Sequence, residues 1–259
     1  MAVVPSPIEL ERRDWIAGLE KGLSVIEAFD AEHSRLTATQ AAQRCGLTRT
    51  AARRHLLTLA HLGYVATDGK LFWLTPRVLR LGQAYLESAR LPRAVHPYLQ
   101  RVTAGTGETA YVAVLDQDDV VYVARTGTHR HVHTGYMQGS RVQAHVTAAG
   151  MAIIATLGPA FWDQWLPAQT LRPYTSHTVM EKERLRSYLM QARDQGWCVS
   201  EQQLEMNYRG IAVPLFDHAD LLVGALSITM PMNSETTEAA VRRVLPVLQE
   251  TARSMRPML

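Results

Sequence analysis

Residues 41–65 read AAQRCGLTRTAARRHLLTLAHLGYV, and the order of residue types in that string decides the fold of the first third of the chain. Thr39 is placed to cap a short helix over Gln40–Arg44, its hydroxyl offered to free backbone N–H groups, and Gly46 can take the left-handed conformation that stops it. Cys45-Gly46-Leu47 is then a turn. Thr48 caps a second helix running to about Leu62, on which the 3.6-residue period puts Ala52, Leu56 and Leu59 on one face and Thr50, Arg53 and Arg54 on another. Gly63 ends it. The following YVATDGKLFWL (64–74) alternates apolar and polar residues around Asp68-Gly69, a two-residue hairpin signal with Lys70 near the tip. Helix, turn, helix and hairpin in this order spell a winged helix-turn-helix.

Charge supports the same reading. Between Arg35 and Arg80 the chain carries eight Lys or Arg and one acid, Asp68, although its formal net charge is only +3. Residues 1–34 hold −4 and residues 81–259 sum to zero, so the positive charge is gathered on one module, where it suits a phosphate backbone. An arginine early in a recognition helix can bond both acceptors of a guanine edge. Arg53 and Arg54 are the candidates for that role, and Thr48, Arg49, Thr50 and Lys70 are better placed for phosphates. Upstream, DWIAGLEKGLSVIEAF (14–29) has Ile16, Leu19, Leu23, Ile26 and Phe29 at helical spacing, expected to close the module's core. Downstream, Thr75-Pro76 opens a helix, PRVLRLGQAYLESA, expected to end at Leu91-Pro92; its Val78, Leu81, Tyr85 and Leu86 are expected as dimer contacts.

At 259 residues with 47% hydrophobic content, the chain is long enough for a second domain with its own core. ETAYVAVL (108–115) and DVVYVARTG (119–127) read as paired strands, as do RGIAVPLF (209–216) and LLVGALSIT (221–229). Helices are expected at about 93–104, 147–157, 180–195 and 235–256, giving an α+β fold with an antiparallel sheet. The division is therefore a flexible arm (1–12), a DNA-binding domain (13–75), a linker helix (76–92) and an effector domain (93–259). Two cysteines without metal spacing, no signal peptide and no long apolar run point to a cytoplasmic chain with no membrane contact.

The catalytic search finds no HExxH, GxSxG, paired CxxC or phosphate loop, so neither an enzyme nor a cofactor is expected. One alternative chemistry stands in THRHVHTGY (128–136): His129, His131 and His133 alternate, so in a strand their imidazoles share a face and could hold a metal, as in a metal sensor or metal-dependent enzyme. Arg130 or Arg141 could instead supply a cation for an acidic ligand.

The chain resembles the IclR-type transcriptional regulators over nearly its whole length. The resemblance is carried by GLEKGLSVIEAF (18–29), by residues 41–65, by FWLTPRVLRLG (72–82) and by RGIAVPLFDHADLLVGALSIT (209–229). LTRTAARRHLLTL (47–59) and LTPRVLRLG (74–82) resemble the branch that controls aromatic acid catabolism through the β-ketoadipate route. The resemblance implies a ligand-responsive regulator that binds operator DNA as a homodimer or tetramer and takes an aromatic carboxylate in a GAF-like domain. By position it implies a pocket with Ala149 and Gly150 at the rim and Ser200, Tyr208, Gly210, Ser227 and Thr229 along the wall. Members acting on small keto acids usually carry an acid at the place of Ser200 and a cysteine or serine at that of Gly210, so the glycine is expected to leave room for a ring. Two of these positions also follow from strand geometry, since Ser227 and Thr229 are two apart and face one side. The first N–H groups of the 147–157 helix can hold a carboxylate.

Overall fold

A computed structural model describes residues 10–11, 13–127, 136–232 and 235–259, and the chain divides into two compact units between Glu87 and Ser88. The first contains α1 (Ala17–Glu27), β1 (Leu36–Thr37), α2 (Ala38–Cys45), α3 (Arg49–His61), β2 (Val65–Thr67), β3 (Leu71–Leu74) and α4 (Leu79–Ser88). Its three short strands pair antiparallel in the order β1-β3-β2, and Val25, Leu36, Ala41, Ala52, Leu56 and Phe72 form the core. The helix-turn-helix is built as its sequence requires. Gly46 sits at φ +63 and closes α2 through its N–H to Ala42 O, and the Thr48 hydroxyl accepts from Ala51 N at 3.2 Å.

Three local expectations change. Thr37, not Thr39, caps α2, because Gln40 is three residues after Thr37 and completes a reciprocal capping box: Thr37 N donates to Gln40 Oε1 at 2.8 Å and Gln40 N to Thr37 Oγ1 at 3.3 Å. On α1 the core takes Val25 and Ala28, with Ile26 and Phe29 packed beside them, while Ile16, Leu19 and Leu23 remain exposed. The single helix expected over 76–92 is several elements: a 3-10 turn at Pro76–Val78 with Thr75 as cap, then α4, then an extended Ala89 from which α5 (Arg90–Thr106) starts. Leu91-Pro92 thus opens a helix rather than ending one, since a proline in the first turn forfeits no intrahelical hydrogen bond.

The second unit is a six-stranded antiparallel sheet in the order β6-β5-β4-β9-β8-β7. Its strands are β4 (Thr109–Asp116), β5 (Asp119–Thr126), β6 (Arg141–Gln143), β7 (Cys198–Glu201), β8 (Tyr208–Phe216) and β9 (Leu222–Pro231). One face packs on α5 and α9 (Thr237–Met255) around Val102, Val112, Ile211 and Leu226. The other packs on α6 (Ala148–Leu157), with α7 (Pro159–Ala168) and α8 (Lys182–Gln195) outside it. α6 is buried along its first eight residues, which small side chains at Ala148, Ala149, Gly150 and Ala152 permit. Among the described residues no helix is long and apolar enough to cross a membrane.

The 3-10 turn before α6, Ala144–Val146, buries His145 to 1% exposure with no hydrogen-bond partner for Nε2 among the described residues. Burial penalises the imidazolium and lowers this histidine to about 4. The unfolded chain binds a proton as pH falls through the ordinary 6.5, whereas the folded chain does so only near 4, so stability is lost across that window as the solution is acidified. The loss at its lower end is about 3 kcal/mol for this one group. Denaturant unfolding at pH 7 and pH 4.5 should therefore show a distinctly smaller pH dependence in His145→Leu than in the parent; equal slopes would exclude a buried neutral histidine.

Candidate DNA interface and ligand cavity

In the first unit the basic residues divide by partner. Arg44 is committed to structure: its guanidinium bonds Asp30 at 2.5 Å and Ala28 O at 2.7 Å. Arg35 lies over the Trp73 ring at 4.6 Å and Arg77 over Tyr64 at 5.4 Å. Arg49, Arg53 and Arg54 on α3, and Lys70 on the wing, are exposed and have no acidic partner among the described residues. Thr48 and Thr50 are exposed at the start of α3 beside them. The wing tip is held in shape by Asp68, whose carboxylate accepts from Leu71 N at 2.7 Å and Lys70 N at 2.9 Å. These backbone N–H groups, Leu71 first, hold the carboxyl below its usual range, so the tip stays anionic at its base and presents Lys70 outward.

The second unit has a cavity between the start of α6, the sheet and residues 202–205. Of the residues expected to line it, Ala149, Ser200, Tyr208, Gly210, Ser227 and Thr229 are brought together there. Gly150 is not. A Cβ on it would lie 2.2 Å from Ala144 O, so this glycine packs on the preceding turn and faces away from the cavity. Gly210 also has a different role from the one expected. A Cβ there would come within 3.2 Å of Ala148 Cβ, so the position is filled by the helix start and leaves no slot for a ring.

The polar groups around the cavity are unequal. Ser200 Oγ already donates to Val146 O at 2.8 Å, and Gly150 N donates to the Thr147 hydroxyl at 2.9 Å. The first two N–H groups of α6, on Ala148 and Ala149, remain on the cavity side. Ser227 and Thr229 face it from β9. Arg141 is removed as a cation for a ligand, since Asp116 at 2.5 Å and Asp119 at 3.3 Å hold it across the β5–β6 edge. Arg130 and the histidines His129, His131 and His133 lie outside the described residues, and among those described no group of metal-ligating side chains gathers.

Sequence reasoning missed the aromatic side. Tyr122 and Tyr136 line the cavity and stack at 5.4 Å with an interplanar angle of 15°. Burial raises both phenols, Tyr136 to about 12 with the Glu205 carboxylate adding to the effect. Both are therefore neutral donors at any physiological pH. The alternation on β5 marks Tyr122 as inward, but nothing in the sequence ties residues 202–205 to it.

Comparison with known proteins accounts for both units. Residues 18–69 match the IclR helix-turn-helix domain and residues 83–256 the C-terminal domain of the bacterial transcriptional regulator IclR. The Pca operon regulatory protein of Acinetobacter baylyi is 36% identical over 254 residues, covering 96% of this chain and 91% of that protein. The p-hydroxybenzoate hydroxylase transcriptional activator of the same organism is 36% identical over 256 residues, covering 97% and 94%. The crystal structure of a transcriptional regulator from Rhodococcus sp. RHA1 superposes with a TM-score of 0.78 at 36% identity, over 95% of this chain and 98% of that one. With a helix-turn-helix whose outward cations lack acid partners among the described residues and a second unit matched almost end to end, the chain belongs to the IclR family of bacterial transcriptional regulators.

Proposed function

We propose that this regulator binds operator DNA in the cytoplasm as a homodimer and that an aromatic carboxylate, taken into the cavity at the start of α6, changes its DNA affinity. The observation that carries the reading is the allocation of charge on the first unit: Arg44 is neutralised by Asp30, while the cations on the outer face of α3 and at the wing are not. Cations that made only structural contacts would be paired or stacked as Arg44, Arg35 and Arg77 are. Arg53 or Arg54 reads a base edge, and Thr48, Arg49, Thr50 and Lys70 hold the backbone.

The ligand class is supported by the stacked Tyr122 and Tyr136 for a ring, by the α6 N–H groups and the Ser227 and Thr229 hydroxyls for polar substituents, and by the similarity to regulators named for the pca operon and for p-hydroxybenzoate hydroxylase. A dimer is supported by apolar stripes that a monomer leaves wet: Ile16, Leu19 and Leu23 on α1, and Leu79, Leu81 and Tyr85 on α4. The ligand can alter DNA binding only by its preference between two dimer states, typically about 1–3 kcal/mol.

Arg53→Ala should weaken operator binding by about 1–3 kcal/mol and relax sequence preference, whereas Lys70→Ala should weaken all sequences alike and lower the salt slope by about one unit. Electrophoretic shift assays across a salt series distinguish them, and unchanged affinity in both variants would sink the interface. Leu19→Asp combined with Leu81→Asp should convert a dimer into a folded monomer in sedimentation and abolish tight operator binding, because two half-sites are engaged together. A parent protein that sediments as a monomer at micromolar concentration argues against the arrangement. For the ligand, 4-hydroxybenzoate should raise the melting temperature of the full chain, and Ser227→Val should reduce that shift; a response to aliphatic keto acids alone would overturn the aromatic class.

A further inference from the structure

Beyond the residues already placed at the cavity, a row of side chains runs from Tyr122 on its wall to Arg125, which also lines a second, more open cavity with Thr103 and Gly127 and has no carboxylate partner among the described residues. Strand register sets Arg125 on β5 opposite Tyr111 on β4, and Tyr111 opposite Ser227 on β9, so the three side chains share the face turned to α6. The pairing of β4 and β5 shifts between Val112 and Ala113, where Val123 is the extra residue, and this shift puts Tyr122 on the same face as Arg125 although they are three apart. The rings form a ladder: Tyr111 lies 5.0 Å from Tyr122, which stacks on Tyr136. The ladder thus runs from the cavity wall to the guanidinium, whose Cζ is 6.0 Å from the Tyr111 ring centre.

The polar ends of this row have no strong partner among the described residues. Tyr111 is 1% exposed; its hydroxyl makes no hydrogen bond of good geometry among the described residues and lies near Arg125, whose guanidinium pulls against the burial that raises the phenol. Arg125 Nε is buried and likewise without such a bond, and Nη1 reaches only the thioether of Met137 at 3.9 Å, a weak acceptor. Buried donors are almost always paired, and among the described residues the guanidinium has only the Tyr111 hydroxyl and the Met137 thioether nearby, which leaves room for a stronger acceptor. Among the described residues, the cations near the cavity leave one choice. Arg209 is bonded to Glu201 and to Thr237 at 3.1 Å, and Arg141 to Asp116 and Asp119. Arg125 has no carboxylate partner among the described residues. An acid entering this cavity also passes the Glu205 carboxylate on its lining, and two backbone N–H groups alone do not offset a second negative charge taken out of water.

We propose that Arg125 and Tyr111 are the acid-recognition end of the cavity: the guanidinium and the phenol hydroxyl hold the carboxylate, the ring lies against Tyr122 and Tyr136, and the far substituent meets the α6 N–H groups and the Ser227 and Thr229 hydroxyls. The carboxylate therefore sits at β4 and β5 and not at the helix start. This rests on the aromatic-acid reading above and adds to it the residue that separates acids from neutral phenols of the same shape. A planar guanidinium beside a phenol matches two carboxylate oxygens, which lysine does only as a point charge.

Calorimetry on the full chain with 4-hydroxybenzoate and its neutral isostere 4-hydroxybenzamide tests the assignment. The parent should prefer the acid, Arg125→Gln should lose about 30-fold or more for the acid while the amide changes little, and Arg125→Lys should recover part of the preference. Tyr111→Phe should lose about 5-fold for the acid alone. Acid and amide affinities that fall together in Arg125→Gln, or an acid affinity that does not fall, would overturn the proposal while leaving the aromatic ligand intact. If Arg125→Gln does not fold, an Arg125→Lys variant with the parent's full acid preference and an unaffected Tyr111→Phe overturn it as well. A parent protein that binds neither compound, nor benzoate, overturns the aromatic class itself.

Discussion

The closest constraint in the second unit is the seat of α6. Its start packs on two glycines in different ways: Gly150 lets the helix sit on the carbonyl of Ala144, where any side chain would meet backbone at 2.2 Å, and Gly210 lets Ala148 settle on β8. Backbone cannot yield as a flexible side chain can, so a residue other than glycine at 150 would tilt or displace the helix. The cavity exists because the helix is held there: its roof is the first turn of α6, its floor the strands below, and the N–H groups of Ala148 and Ala149 are left over its edge because Thr147 takes only the next one. Ser200 reinforces the same seat by tying β7 to Val146 O. A residue expected to touch a ligand thus has a prior commitment to the wall.

The first unit applies a comparable economy to charge. Eight basic residues fall in one stretch of sequence, yet they do not act alike. Arg44 is spent on Asp30 and the carbonyl of Ala28, which pins α2 to the end of α1. Arg35 and Arg77 lie over the Trp73 and Tyr64 rings. After these are subtracted, five exposed cations without an acid partner among the described residues remain, Arg80 on α4 and four that gather on the outer face of α3 and at the wing tip. Net charge alone would have overcounted them.

Much of this was legible in the sequence, for physical reasons that also mark where reading stops. Caps, a left-handed glycine and a two-residue hairpin are local, so the turn between α2 and α3, the start of α3 and the wing follow from neighbouring residues. Thr39 reads as the cap because it is as good as Thr37 by type, and only the reciprocal bond to Gln40 distinguishes them. The apolar stripe of α1 was assigned to the core because periodicity reports which residues share a face and is silent on what the face meets; Val25 and Ala28 lie next to that stripe and take the burial. Leu91-Pro92 reads as a stop because proline ends helices, although it begins them as readily. In the cavity, strand position found Ser227 and Thr229, whereas Gly210 depended on what lies opposite it.

Arg125 shows the limit most clearly. Strict alternation along β5 would send Tyr122 and Arg125 to opposite faces, and only the register shift at Val112 and Ala113 brings them to one. A bulge of this kind costs a ladder hydrogen bond and re-aims every side chain beyond it, so its presence beside a cavity has consequences for chemistry as well as for shape. Here it joins a guanidinium and a phenol, neither with a strong partner among the described residues, to a wall of two stacked tyrosines. A ligand whose acceptors meet these donors gains from that arrangement whatever else it contacts. The same feature makes occupancy selective: an acid restores the missing acceptors, and a neutral phenol of equal size leaves the cation unpaired.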